Sequence, residues 1–208
     1  MMASCTFCNK EDLEEGLLDE TPSFYHRANV LGAIAPGHSM IISKKHYSCF
    51  GEMPPNSDED FNSYLASVKT RFSKVFGDPI LVEQGIHGQS INHAHLHFFP
   101  RVSEWYDFSE SERFIDFIPP GISVSEVGGI QDIRKIFDDD GQYVLIGENS
   151  SLYVCHTKEF DGNLRPVREF PSKLTGLTNL LNWQTVSQEE KLKNTRWVEE
   201  TIEKLKTK

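Results

Sequence analysis

The features missing from this 208-residue sequence narrow its class before any motif is read. It has no apolar run approaching the ~18 residues of a membrane-spanning helix, and Met1 to Lys10 contains no apolar core of a secretory leader. Basic residues are in the minority, 21 against 31 acids for a net charge of −10, so nucleic acid is not an expected partner. Only four cysteines occur, Cys5, Cys8, Cys49 and Cys155, and their spacing does not suggest a disulfide framework. No internal repeat or low-complexity linker interrupts the chain. What remains is 38% hydrophobic, 11% aromatic and 25% charged. A chain of this length buries roughly 70% of its unfolded surface and needs no covalent staples. The expectation is a soluble, cytoplasmic globular protein without a membrane partner, either one domain or a domain with an extension.

Acids are also missing locally. Between Glu20 and Glu52, and again between Glu83 and Glu104, there is no carboxylate. The same two stretches hold His26, His38, His46, His93, His95 and His97, with His87 a seventh. Clearing carboxylates from two places in an acidic protein suits a small-anion pocket, because a nearby carboxylate would repel the anion. Buried strands would also lack acids.

The coarse pattern predicts two strands, 28–33 and 39–43, joined by an Ala35-Pro36-Gly37 turn. A helix follows, with Ser57 as its cap, acids 58–60 in its first turn and Gly77 closing it; Phe61, Leu65, Val68, Phe72, Val75 and Phe76 would face a sheet. Further predictions are a strand at 79–83, a loop at 84–90, a strand at 91–99, a helix at 129–137 and a hairpin at 143–147 with 152–156. A final helix would begin at a Ser187/Glu190 capping box and turn Trp197, Val198, Ile202 and Leu205 inward.

The informative stretch is His93-Ala94-His95-Leu96-His97-Phe98. On a strand the three imidazoles share one face, spaced roughly 6.6 Å apart, while Ala94, Leu96 and Phe98 enter the core. Such a row either binds metal with some of its members or handles phosphate, one ring attacking while its neighbours donate hydrogen bonds. The loop just upstream contains Gly85, Gly88, Gln89 and Ser90, flexible backbone with short polar donors, and favours phosphate. Cys5-Thr6-Phe7-Cys8 alone is either a redox pair or half of a metal knuckle.

His93-Ala94-His95-Leu96-His97-Phe98-Phe99, the preceding Gly88-Gln89-Ser90, and Ala35-Pro36-Gly37-His38 with Lys44-Lys45-His46 resemble the histidine triad (HIT) superfamily, its Hint- and Fhit-like members included. The resemblance covers residues 5 to about 101 and implies an α+β fold: an antiparallel sheet with a packed helix over 1–107, plus a C-terminal α/β extension over 108–208. It implies that His95 is the nucleophile, taking a nucleoside α-phosphoryl group as a covalent nucleotidyl-histidine. His97 and His38 would hydrogen-bond the phosphate and leaving group, and Gln89 and Ser90 would hold phosphate oxygens. Family members often place an acidic or amide side chain eight residues before the His38 position to hold ribose. Here Val30 occupies that place, with Asn29 beside it as the candidate. The resemblance also implies a structural zinc on Cys5, Cys8, His46 and His93, and a homodimer. Arg165 to Phe170 and Asn182-Trp183 faintly resemble longer members of the dinucleoside-polyphosphate phosphorylase kind. The implied function is nucleotidyl hydrolase or transferase on dinucleoside polyphosphates. The alternatives are a Hint-like phosphoramidase and a nucleotide-sensing module with little turnover. A cupin-like metal enzyme would need a carboxylate closer to the row than Glu104.

Overall fold

Alternating side chains along Ile80, Leu81, Val82 and Phe98, Phe99 send one set to each face of a pleated strand, so a sheet built from them must be covered on both sides. The structure, a computed structural model, describes residues 5–30, 32–86, 88–104, 106–108, 113–160, 162, 164–175 and 188–206. His87, Asn182, Trp183 and the Ser187 cap lie outside the described residues. Among the described residues eight strands form one sheet: β1 (Leu17–Glu20), β2 (Phe24–Ala28), β3 (Ser39–Ser43), β4 (Pro79–Glu83), β5 (His95–Pro100), β6 (Ser123–Val127), β7 (Val144–Glu148) and β8 (Ser151–His156). Their order is β1-β2-β3-β5-β4-β7-β8-β6, and every pairing is antiparallel. The helices are α1 (Lys10–Glu14), α2 (Asp58–Phe76), α3 (Ile130–Asp140), α4 (Pro166–Thr175) and α5 (Gln188–Leu205). This is the α+β class the sequence implied. None of the described helices is long and apolar enough to cross a membrane.

One face of the sheet, with Phe24, Ile41, Leu81, Leu96 and Phe98, packs against Phe61, Tyr64, Val68 and Phe72 of α2 and Trp197 and Val198 of α5. The opposite face is covered in two separate patches. Phe7 and Leu13 of the N-terminal segment cover Tyr25, Met40 and Ile42. Phe108, Phe114, Val167 and Phe170 cover Ile80, Val82 and Phe99. The second half of the chain is joined to the first edge to edge, because β4 pairs with β7 through Leu81–Gly147, Val82–Ile146 and Glu83–Leu145. Residue 107 therefore divides one continuous sheet.

Several local expectations shift. The strand placed at 28–33 lies at 24–28, because its inward positions include polar residues that the pattern hides. Arg27 donates to the carbonyls of Asp12 and Glu15, and buried His26 bonds Ser39 and Arg71. Ser57 makes no side-chain cap, since a 3-10 turn over Pro55–Ser57 leads into α2. Val75 is exposed, and Tyr64 takes a core position instead. The strand read as 91–99 begins at His95. Cys49 and Cys155 are packed thiols, each pushed up to about 12 by burial.

One buried acid makes stability depend on pH. Glu83 accepts hydrogen bonds from Phe50 N–H (2.7 Å) and the Tyr143 hydroxyl (2.6 Å). Burial, opposed by those two bonds, raises it from 4.5 to about 7. The folded protein thus keeps a proton that the unfolded chain loses above pH 4.5. The resulting stability is full below that pH, falls as pH rises, and is gone above about 7. Urea unfolding at pH 5 and pH 8 should show wild type losing on the order of 3 kcal/mol more than Glu83→Gln across that interval. Parallel losses in the two proteins would contradict the assignment.

Candidate functional site

The pleat of β5 puts His95 and His97 on the face opposite α2, in the gap between the N-terminal patch and the α4 patch. His38 joins them from the start of β3, which pairs with β5 through Met40–His97 and Ile42–His95. The His95 and His97 rings lie 5.0 Å apart, and those of His97 and His38 lie 5.2 Å apart. All three rings are buried, His38 completely and His95 and His97 with 6% and 7% exposure. The turn before His38 is held from the far end of the chain. Thr201 of α5 accepts from Gly37 N–H at 2.7 Å, and Gly37 sits at φ +90 against the Phe72 and Phe76 rings.

Hydrogen bonds assign each ring's protons. His95 Nδ1 lies 2.6 Å from the carbonyl of His93, which can only accept. Nδ1 therefore carries the hydrogen, and Nε2 presents its lone pair. His38 Nδ1 accepts from Ile34 N–H at 3.1 Å, so its hydrogen is on Nε2, which donates to His97 Nδ1 at 3.0 Å. His97 is thereby left with its hydrogen on Nε2. Side by side stand a ring nitrogen with a lone pair on His95 and an N–H donor on His97. Burial lowers His95 to about 4, against the raising effect of its bond to the His93 carbonyl. Burial also holds His38 and His97 well below the ordinary value, helped at both by the Arg168 guanidinium. All three rings are neutral at pH 7.

The other expected ligands are already engaged. Asn29 lies against the His38 ring, its amide nitrogen 3.2 Å from Nε2, and donates to Gly32 O at 3.4 Å. Gln89 braces the loop: its amide donates to the carbonyls of Ser48 and Gly85, and its oxygen accepts from His93 N–H. The Ser90 hydroxyl accepts from Arg165 at 2.9 Å. The sequence pattern did not assign a place at the site to Arg165 or Arg168. The available signal was two arginines flanking Pro166 and Val167 in an otherwise acidic chain.

A second cluster adjoins the row. The Cys5, Cys8, His46 and His93 ligand atoms all lie within 4.8 Å of one another. Cys5 Sγ is 3.4 Å and Cys8 Sγ 3.6 Å from His93 Nδ1, and Cys8 Sγ is 3.2 Å from His46 Nδ1. Zn–S bonds of about 2.3 Å and Zn–N bonds of about 2.0 Å place neighbouring tetrahedral ligands roughly 3.3–3.8 Å apart, so the set fits that ion. His93 Nε2 donates to Ser43 O at 2.7 Å, which leaves the Nδ1 lone pair facing the sulfurs. Burial, then the neighbouring Cys5, raise the Cys8 thiol, a penalty that a bound cation would remove. Phe7 packs edge-on to both His93 and His95, at 5.8 and 5.2 Å, and links the two clusters.

Residues 24–104 match the family model of the HIT domain. An uncharacterized HIT-like protein of Methanocaldococcus jannaschii is 34% identical over 71 residues, 31% of this chain and 53% of that protein. A CWF19-like protein 1 homolog of Drosophila melanogaster is 24% identical over 159 residues, 75% of this chain and 28% of that protein. The chain thus spans about half the length of the first of these relatives and about a quarter of the second. Among solved structures, a zinc-bound histidine triad family protein of Mycobacterium smegmatis is 20% identical at a TM-score of 0.41, covering 49% of this chain and 77% of that one.

Proposed function

Because this chain carries a HIT domain and so belongs to the histidine triad superfamily, we propose that it is a nucleotidyl hydrolase or transferase working through His95. The observation that carries the reading is the proton assignment, an acceptor lone pair on His95 Nε2 and an N–H on His97 Nε2 in adjacent rings. His95 Nε2 attacks the α-phosphorus of a nucleotide, a P–N bond forms, and the bond from phosphorus to the leaving group breaks with its electron pair on that group. The His97 N–H stabilises charge on the phosphoryl oxygens and the departing atom. Water then adds to phosphorus, the P–N electron pair returns to Nε2, and the water proton passes to solvent. The products are a nucleoside monophosphate and the displaced group. The substrate class is dinucleoside polyphosphates.

Cys5, Cys8, His46 and His93 would hold a structural zinc, whose contribution is to fix the N-terminal segment and the His93 backbone. The His93 carbonyl then fixes the His95 tautomer. Incubation with diadenosine tetraphosphate should yield AMP and ATP by chromatography. An enzyme that leaves that substrate and adenosine 5′-phosphoramidate both intact over hours would overturn the reading.

A further inference from the structure

Two cations stand where local helix physics disfavours them. Arg165 immediately precedes α4 and Arg168 lies in its first turn beside Glu169, at the end that carries a partial positive charge and prefers acids. Arg165 O accepts from the backbone N–H groups of Arg168 and Glu169, so both guanidinium groups leave the same end of the helix. Proteins tend to break such a local rule at functional sites. Here both arginines reach the loops that flank the histidine row, Arg165 the one before it and Arg168 the turn before His38. Arg165 Nε donates to Gly88 O at 3.1 Å and its Nη2 to Ser90 Oγ at 2.9 Å, while Nη1 has no partner among the described residues. Arg168 Nη2 donates to Gly32 O at 2.7 Å, the same carbonyl that takes the Asn29 amide beside His38. The two guanidinium groups lie close enough to repel: after burial, Arg165 is the next cause that lowers Arg168, to about 10. A polyanion bound between them would turn that repulsion into two charge-assisted attractions.

We propose that Arg165 and Arg168 form an anion subsite for the phosphates beyond the one His95 attacks, which makes the enzyme selective for substrates whose leaving group is a polyphosphate chain. This rests on the reading of His95 as the nucleophile and adds to it a choice of leaving group. A guanidinium gains most from multiply charged phosphate oxygens and nothing from a neutral amine leaving group.

The test compares two substrates that share an adenylyl group, diadenosine tetraphosphate and adenosine 5′-phosphoramidate, using the full chain with its metal. The Arg165→Gln/Arg168→Gln variant should lose on the order of 100-fold in kcat/KM on the tetraphosphate, as expected for two charge-assisted contacts. Its loss on the phosphoramidate, which reads only the shared effect on the histidine row and the 88–90 loop, should be at least about tenfold smaller. Equal losses on both substrates, or none on the tetraphosphate, would overturn the subsite. Should the double variant not fold, Arg165→Lys/Arg168→Lys and the unmodified protein decide. Inorganic tripolyphosphate should inhibit wild-type phosphoramidate turnover competitively, more weakly as salt rises, and failure to inhibit also overturns the subsite. Calorimetric binding of tripolyphosphate by a protein that turns over neither substrate would uphold the anion subsite while removing the His95 chemistry.

Discussion

Replacing His95 with asparagine should reduce nucleotidyl transfer by on the order of 10⁴-fold or more, the scale seen when a covalent nucleophile is removed. The substitution takes away the one ring of these three whose Nε2 is left as an acceptor, because His38 Nδ1 accepts from Ile34 N–H and His97 Nδ1 accepts from His38 Nε2–H. Neither neighbour can replace it without breaking that chain. The introduced amide could still accept hydrogen bonds, and nucleotide affinity by calorimetry should stay within about tenfold of wild type. His97→Gln should cost less, on the order of 10²–10³-fold, since it removes a donor and leaves the nucleophile. A His95→Asn protein that turned over substrate at a tenth of the wild-type rate would remove the nucleophile from the mechanism.

The second large effect concerns the four-residue cluster. The purified protein should contain one zinc per chain by elemental analysis, and Cys8→Ser should contain markedly less. Structural zinc commonly supplies several kcal/mol of folding energy. Here the ion would join the N-terminal segment (Cys5, Cys8) to the strand ends (His46, His93), with Phe7 and Leu13 packed over Tyr25 and Ile42. Chelation should therefore lower the unfolding temperature by roughly 5 °C or more for a chain of this size. It should also lower turnover, because His93 supplies the carbonyl that holds His95 Nδ1. A protein that is zinc-free as purified and no less stable in chelator would mean the cluster holds no metal.

The elements that carry the histidines were more legible in the sequence than those around them. Alternating histidines point to a strand and Pro36-Gly37 to a turn before His38, but β5 begins at His95 and leaves His93 outside it, beside the cysteines. Three parts were illegible for separate reasons. The strand at 24–28 is hidden because His26 and Arg27 are buried and satisfied by partners that only tertiary contacts supply. The strands at 17–20 and 123–127 lie at the two edges of the sheet, where exposed acidic and polar residues mask the alternation. Pro171 inside the helix at 166–175 argues against a helix from sequence, which concealed the element that carries Arg165 and Arg168. The roles of Gln89 and Ser90 also depended on long-range neighbours: Ser48 O and Gly85 O take the Gln89 amide, and Arg165 takes the Ser90 hydroxyl. The Gln89 amide must exchange those carbonyls to reach a phosphate oxygen, whereas the Ser90 hydroxyl accepts from Arg165 and keeps its own hydrogen to donate.

Rapid acid-free quenching of the enzyme with diadenosine tetraphosphate, followed by peptide mass spectrometry, tests the central chemistry most directly. The peptide that contains residues 91–101 should gain the mass of one adenylyl group, with the P–N bond located at position 95. An adduct on any other residue, or none in a protein turning over substrate under conditions that preserve phosphoramidates, would contradict covalent catalysis at that imidazole.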